Sequence, residues 1–110
     1  METGFWSQEI KPNETISLDI TTHMLRLTTA NLGLFPSETE QIGLFCEIEN
    51  ETFLLCKLQK PNIEQIRLDL VFYPNNKLSF FTKGNLPIFL LGYLEPFRQE
   101  IKEIKTKLNK

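Results

Sequence analysis

The sequence has few of the residues on which enzyme sites are usually built. It contains one His, two Cys and no Gly-rich phosphate-binding loop among its 110 residues. A nucleophile paired with His would have to use His23, which we interpret as part of a turn between strands. The spacing of Cys46, Cys56 and His23 is not that of a zinc site. We therefore expect no catalytic residues, no metal site and no cofactor.

Signals for export and for membrane insertion are also lacking. The opening Met1-Glu2-Thr3 is not basic, and no apolar segment of the secretory type follows it. No apolar run approaches the roughly 20 residues of a membrane span. We therefore expect an intracellular protein without a membrane partner, in which Cys46 and Cys56 are buried, reduced thiols.

An excess of basic charge is missing as well. The formal net charge is −2, which argues against general affinity for nucleic acid. The charge is unevenly distributed, because five Glu and no Lys or Arg lie between Glu38 and Glu51. This distribution predicts a local acidic surface.

What the sequence does contain is a series of short apolar runs separated by turn residues, within the length of one domain. In one run Leu68, Leu70 and Phe72 alternate with more polar neighbours, which is the period of a β-strand with one buried face. A hairpin turn is predicted at Asn50-Glu51. Eight strands are predicted in all, at residues 5–10, 16–20, 24–30, 42–48, 53–58, 66–72, 78–82 and 88–93.

This pattern favours an all-β, eight-stranded jelly-roll sandwich or barrel over residues 1–95, since no alternation of strands with helices is present. Residues 96–110 differ. Pro96 suits the first turn of a helix, and the apolar spacing after it predicts a short basic amphipathic C-terminal helix. Such a helix could pack on its own domain, dock on a partner or begin a linker.

A continuous apolar run points to an interface between subunits. Residues 88–91 are apolar without a break, as is typical of a strand covered on both faces. With the two Phe before them, they provide more apolar strand surface than one small sandwich needs. The predicted oligomer interface therefore comprises Phe80, Phe81, Ile88, Phe89, Leu90 and Leu91.

Three stretches resemble the nucleoplasmin-like domain, over about residues 5–95. The family includes nucleoplasmin and nucleophosmin, and the pattern is most similar to that of the plant nucleolar histone-deacetylase-type proteins and of the amino-terminal domains of nuclear immunophilin prolyl isomerases. The stretches are Phe5-Trp6-x-x-Glu9-Ile10-Lys11-Pro12, His23-Met24-Leu25-Arg26-Leu27-Thr28-Thr29-Ala30-Asn31-Leu32-Gly33 and Lys83-Gly84-Asn85-Leu86-Pro87-Ile88-Phe89-Leu90-Leu91-Gly92-Tyr93.

The resemblance implies a jelly roll that forms a homo-oligomer, either a pentamer or a decamer of two pentamers, in the nucleus or nucleolus. It also implies histone chaperone activity on chromatin through acidic loops and tails. The carboxylates expected to contact core histones are Glu38, Glu40, Glu49 and Glu51, in or beside the polar loop and the hairpin tip.

The alternative is an oligomerisation head of a larger nuclear protein, without strong histone binding of its own. The sequence departs from the family in one respect, because a basic segment follows Tyr93 where an acidic tract is expected. A prolyl isomerase activity, if the protein has one, would then lie in a domain outside this chain.

Overall fold

The computed structural model describes residues 3–33, 40–74 and 77–97, and every helix or strand within these ranges is a β-strand. The sequence prediction of an all-β chain with eight strands is confirmed, and most strands extend beyond their predicted ends. The strands are β1 (Gly4–Ile10), β2 (Thr15–Asp19), β3 (His23–Leu32), β4 (Glu40–Ile48), β5 (Glu51–Lys60), β6 (Gln65–Phe72), β7 (Lys77–Lys83) and β8 (Ile88–Pro96).

The strands form two four-stranded antiparallel sheets. Sheet 1 has the order β1-β8-β3-β6, and sheet 2 has the order β2-β7-β4-β5. Among the described strands, the chain changes sheet at every connection except the β4–β5 hairpin. Most strand partners are therefore distant in sequence, and the apolar alternation of each strand decides which of its faces lies between the sheets.

The core lies between the two sheets and is filled by alternate side chains from both. Leu27 and Leu90 of sheet 1 and Leu44 and Phe80 of sheet 2 have no exposed surface. The Phe80 ring makes an edge-to-face contact with Phe72 of β6, with the ring centroids 5.6 Å apart. Such buried rings and branched chains supply most of the apolar area that stabilises a domain of this size.

A bulge changes the direction of side chains in edge strand β5. Cys56 lies opposite Leu44, but the next residue of β4, Phe45, lies opposite Leu54. Leu55 is therefore the extra residue of the bulge. As a result Leu54 shares the outer face of sheet 2 with Phe45, and 48% of its surface is exposed.

Two boundaries differ from the sequence prediction. Ile48 pairs with Glu51, so the hairpin turn consists of Glu49 and Asn50 rather than Asn50-Glu51. Pro96 is the last residue of β8, opposite His23, and not part of a helical first turn. A strand can end at Pro because no ladder hydrogen bond is needed there. The rest of the predicted helix lies outside the described residues.

Candidate functional site

The predicted histone-contacting carboxylates lie at two opposite ends of the sandwich. Glu40 is the first residue of β4, whereas Glu49 follows its last residue and Glu51 begins β5. A strand of nine residues separates its ends by about 27 Å, at roughly 3.4 Å per residue. The segment that reads as one acidic run in the sequence is therefore divided by β4. Glu38 lies outside the described residues.

Glu40 is held by the backbone of a neighbouring loop. Its carboxylate accepts a hydrogen bond from the backbone N–H of Asn85, in the connection between β7 and β8. A charge-assisted bond of this kind fixes the side chain and satisfies one of its oxygens. Glu40 therefore has an evident structural role, which Glu49 and Glu51 do not share.

The opposite end of the sandwich, which we call the hairpin end, is the β4–β5 turn with the strand ends around it. Glu49 and Asn50 have φ angles of 48° and 72°, the positive values that a type I′ turn needs at both central positions. Asn tolerates this region, whereas Glu adopts it at a cost. The turn directs Glu49 into solvent, and both Glu49 and Glu51 are exposed.

A cleft of about 820 Å³ opens at the hairpin end. It brings Asp19 and Glu47 beside Glu49, with one cation, Lys77, directly across the β2–β7 ladder from Asp19. Among the described residues that line the cleft, three carboxylates face one ammonium, so their combined field is negative. The cleft is lined by Ser17, Leu18, Asp19, Ile20, Thr21, Glu47, Glu49, Asn50, Lys77, Leu78 and Ser79.

The predicted histone contacts include neither Asp19 nor Glu47. The cleft combines β2, β7 and the end of β4. Only the strand order reveals this neighbourhood, because residues 19 and 47 are far apart in sequence. The sequence pattern nevertheless indicates that Glu47 is exposed. Glu47 lies in a strand between the apolar residues Cys46 and Ile48, so its side chain has to face away from the core.

The six residues of the predicted oligomer interface divide into two groups. Phe80, Ile88 and Leu90 have no exposed surface, so they belong to the core of the protomer and leave nothing for a partner to contact. Phe81, Phe89 and Leu91 alternate with them, point to the outer faces of the sheets and are half-buried. The interface hypothesis therefore applies only to this second group.

The outer face of sheet 1 also carries a charged cluster. Arg26 Nε donates to Glu95 Oε1 at 2.9 Å, and Arg26 Nη1 lies 3.4 Å from Asp69 Oδ1. The hydrogen bond and the charge of Glu95 hold the pKa of Arg26 above its usual value. The cluster links β8, β3 and β6, and its exposed position makes it sensitive to salt.

The two cysteines are free thiols within the hairpin of β4 and β5. Cys46 is buried and Cys56 half-buried. Burial raises the pKa of both thiols, and raises that of Cys56 to about 11. Thiols with such pKa values stay protonated at neutral pH and are poor nucleophiles and metal ligands.

Among residues 3–33, 40–74 and 77–97, no group of three or more His, Cys, Asp or Glu side chains is placed to hold a metal ion. In the same ranges the chain has no helix with the length and hydropathy that a membrane crossing requires.

The geometry defines a class of protein, an eight-stranded β-sandwich domain with an acidic hairpin end and with some apolar residues on its outer sheet faces. The family model of the nucleoplasmin-like domain matches residues 5–95, and the chain belongs to this family. The resemblance seen in the sequence is thereby confirmed.

Two curated relatives are FK506-binding proteins. The chain is 27% identical over 100 residues to the 46 kDa FK506-binding nuclear protein of Spodoptera frugiperda, covering 90% of this chain and 24% of the relative. It is 29% identical over 89 residues to FK506-binding protein 4 of Rhizopus delemar, covering 81% of this chain and 23% of the relative. The chain thus spans about a quarter of the length of the curated relatives it matches.

Two solved structures from Drosophila share the fold. The nucleoplasmin-like N-terminal domain of FKBP39 has a TM-score of 0.69 at 24% identity, and the match covers 87% of this chain and 92% of that one. NLP-core, whose crystal structure was solved to give insight into pentamer formation and histone binding, has a TM-score of 0.78 at 17% identity. That match covers 88% of this chain and all of NLP-core.

Proposed function

We propose that this chain is a histone-binding chaperone module that assembles into a ring of five and presents the carboxylates of its hairpin end to basic histones. The strand orders β1-β8-β3-β6 and β2-β7-β4-β5 support its assignment as a jelly roll built from two Greek keys. The names of its relatives, one of them a nuclear protein, support a nuclear location on chromatin.

The observation that carries the proposal is the concentration of carboxylates at the hairpin end. Asp19, Glu47 and Glu49 surround one cleft, and Glu51 begins the strand beside it. Each exposed carboxylate contributes only a few tenths to about 1 kcal/mol to an ion pair. Cyclic symmetry would repeat these four carboxylates at the same level around the ring. A histone that contacts several copies at the same time would then bind with a higher total affinity.

The fold neighbour NLP-core supports the choice of partner, since its structure concerns pentamer formation and histone binding. Histones are basic, and a negative cleft attracts basic chains and raises their association rate. We also propose Glu40, at the other end of the sandwich, as a minor contact, because its carboxylate is already held by the backbone of Asn85. Glu38 stays a predicted contact that lies outside the described residues.

Two variants with equal charge loss separate the two ends. E47Q/E49Q/E51Q neutralises the hairpin end, and E14Q/E40Q/E64Q removes three charges from the other end while keeping amide oxygens that can accept the bonds made by Glu14 and Glu40. Titration of core histones at 0.15 M salt should show an affinity at least tenfold lower for the first variant and little change for the second. Equal loss in both variants would contradict the assignment of the site to the hairpin end.

The second candidate function is an oligomerisation head of a larger nuclear FK506-binding protein. The observation that favours it is that this chain covers only about a quarter of the length of the curated relatives it matches. Under this alternative the ring forms, but core histones bind with no measurable affinity at 0.15 M salt to the 110-residue chain. A prolyl isomerase activity would then belong to a separate catalytic domain.

A further inference from the structure

An apolar patch, which we call patch 1, lies on the outer face of sheet 1. It consists of Phe5, Phe89, Leu91 and Tyr93, all on the paired strands β1 and β8. Phe5 is 66% and Tyr93 44% exposed, and their rings meet edge to face with centroids 6.2 Å apart. Patch 1 therefore projects two large rings from the sheet surface.

A second apolar patch, patch 2, lies on the outer face of sheet 2. The rings of Phe45 and Phe81 are stacked with their centroids 5.2 Å apart and an angle of 8° between their planes. Leu54 lies across the ladder from Phe45. Beside them a shallow pocket of about 190 Å³ forms where Gly43 has no side chain. Patch 2 is therefore a flat apolar surface with a concavity at its edge, where the Lys83 ammonium lies 5.1 Å from the centroid of the Phe45 ring.

The two patches face away from each other, so neither can cover the other within one protomer. They also differ in shape, since patch 1 projects rings and patch 2 is flat with a pocket. Unlike surfaces on opposite faces of one molecule favour a heterologous contact, in which each copy uses patch 1 toward one neighbour and patch 2 toward the other. Contacts of this kind close into a ring when the rotation between copies allows it.

The charges beside the patches are complementary at the same end of the sandwich. Glu9 of β1 pairs with Phe89, near the end of β1 and the start of β8. Lys57 and Lys83 flank Gly43, near the end of β7 and the end of β5. Copies that stand side by side with their strands in the same direction would bring Glu9 toward these two cations, and copies in the opposite direction would not.

We infer that patch 1 of one copy packs on patch 2 of the next, with Glu9 facing Lys57 and Lys83. The occupant of each patch is a second copy of this chain. The inference rests on the proposed ring and specifies its surfaces and its direction. Exposed or half-buried apolar rings on both outer faces, together with charges of opposite sign at matching ends, are the observations that support it.

Each patch is blocked by a variant of its own. F5E/Y93E places charge on patch 1, L54E places charge on patch 2, and I63E is the matched control, because Ile63 is 46% exposed and lies outside both patches. Light scattering at micromolar concentration should give about five times 12.9 kDa for the parent and for I63E. Each patch variant alone should give 12.9 kDa, and circular dichroism should show a folded β-protein.

Mixing the two patch variants decides the direction of the contact. F5E/Y93E retains an intact patch 2 and L54E retains an intact patch 1, so a heterologous contact predicts a one-to-one complex of twice 12.9 kDa. A contact between two identical patches would leave one variant oligomeric on its own and would give no complex on mixing. A patch variant that is oligomeric on its own, or the absence of a complex on mixing, would overturn the inference.

Charge reversal supplies an independent readout should a patch variant fail to fold. E9K and the double change K57E/K83E should each lower the oligomer fraction, and the triple variant that combines them should restore it. Failure of the combination to restore assembly would contradict the pairing of Glu9 with the two cations. A monomeric parent would remove the ring itself, whereas an oligomeric parent with oligomeric patch variants would overturn only the surfaces assigned here.

Discussion

Gly92 of β8 lies against the backbone of Arg26 in the neighbouring strand. A Cβ built on Gly92 would stand 2.2 Å from the Arg26 carbonyl oxygen and 3.2 Å from Leu27 Cα. β3 bulges immediately after this point, between Leu27 and Thr29. The strands approach so closely here that position 92 accepts only a residue without a side chain.

The first prediction follows from this contact. Gly92→Ala should lower the free energy of unfolding by about 1–3 kcal/mol or more, because the obstacle is backbone rather than a movable side chain. Gly4→Ala is the matched control, since nothing lies within 4 Å of its built Cβ. Urea unfolding of both variants measures the difference, and equal stability of the two would show that the strands can separate at no cost.

The second prediction concerns two neighbouring phenylalanines that face opposite ways. Phe80→Ala should destabilise the protomer by about 3–5 kcal/mol, because the ring is fully buried. Phe81→Ala should cost much less in a monomeric background and should instead weaken self-association. Unfolding curves together with light scattering separate the two effects. The reverse pattern would mean that the two faces of β7 are exchanged.

The third prediction concerns the positive φ of Glu49. Glu49→Gly should raise the free energy of unfolding by about 1 kcal/mol, because Gly adopts this backbone region without the steric cost that Glu has. The same change should weaken histone binding, because it removes a carboxylate from the cleft. Thermal unfolding and histone titration of one variant test both parts, and unchanged histone affinity would remove Glu49 from the site.

The fourth prediction concerns the thiol of Cys56, whose pKa burial raises from 9.0 to about 11. Between these two values the unfolded chain releases the Cys56 proton while the folded chain keeps it. The free energy of unfolding should therefore fall as the pH rises from about 9 to about 11, and the contribution is fully present below pH 9. Cys56→Val should flatten this part of the stability profile, and an identical slope in parent and variant would contradict it.

Much of the fold could be predicted from the sequence because each strand carries its own alternation. Leu68 and Leu70 show this in β6, where they pack on the core while Arg67 and Asp69 face solvent. The apolar run of β8 was more ambiguous, since its composition does not say which residues face inward. In the structure β8 lies between β1 and β3, and this position turns Ile88 and Leu90 toward the core between the sheets.

The candidate site was less accessible to prediction, because it depends on long-range strand order. Glu40 and Glu49 are close in sequence, yet the length of β4 carries them to opposite ends. Asp19 and Glu47 are distant in sequence, yet β7 brings their strands together. Proximity along the chain was therefore a poor guide to proximity in space, as is usual in sheets whose strands pair across the whole sequence.

The central claim is that this chain forms its own ring and that the ring binds histones. The most direct measurement is light scattering of the 110-residue chain at 0.15 M salt, first alone and then with an excess of core histones. The account predicts a particle of about five times 12.9 kDa that gains mass when histones are added and loses the gain as the salt concentration rises. A particle of 12.9 kDa that gains no mass from histones would contradict it.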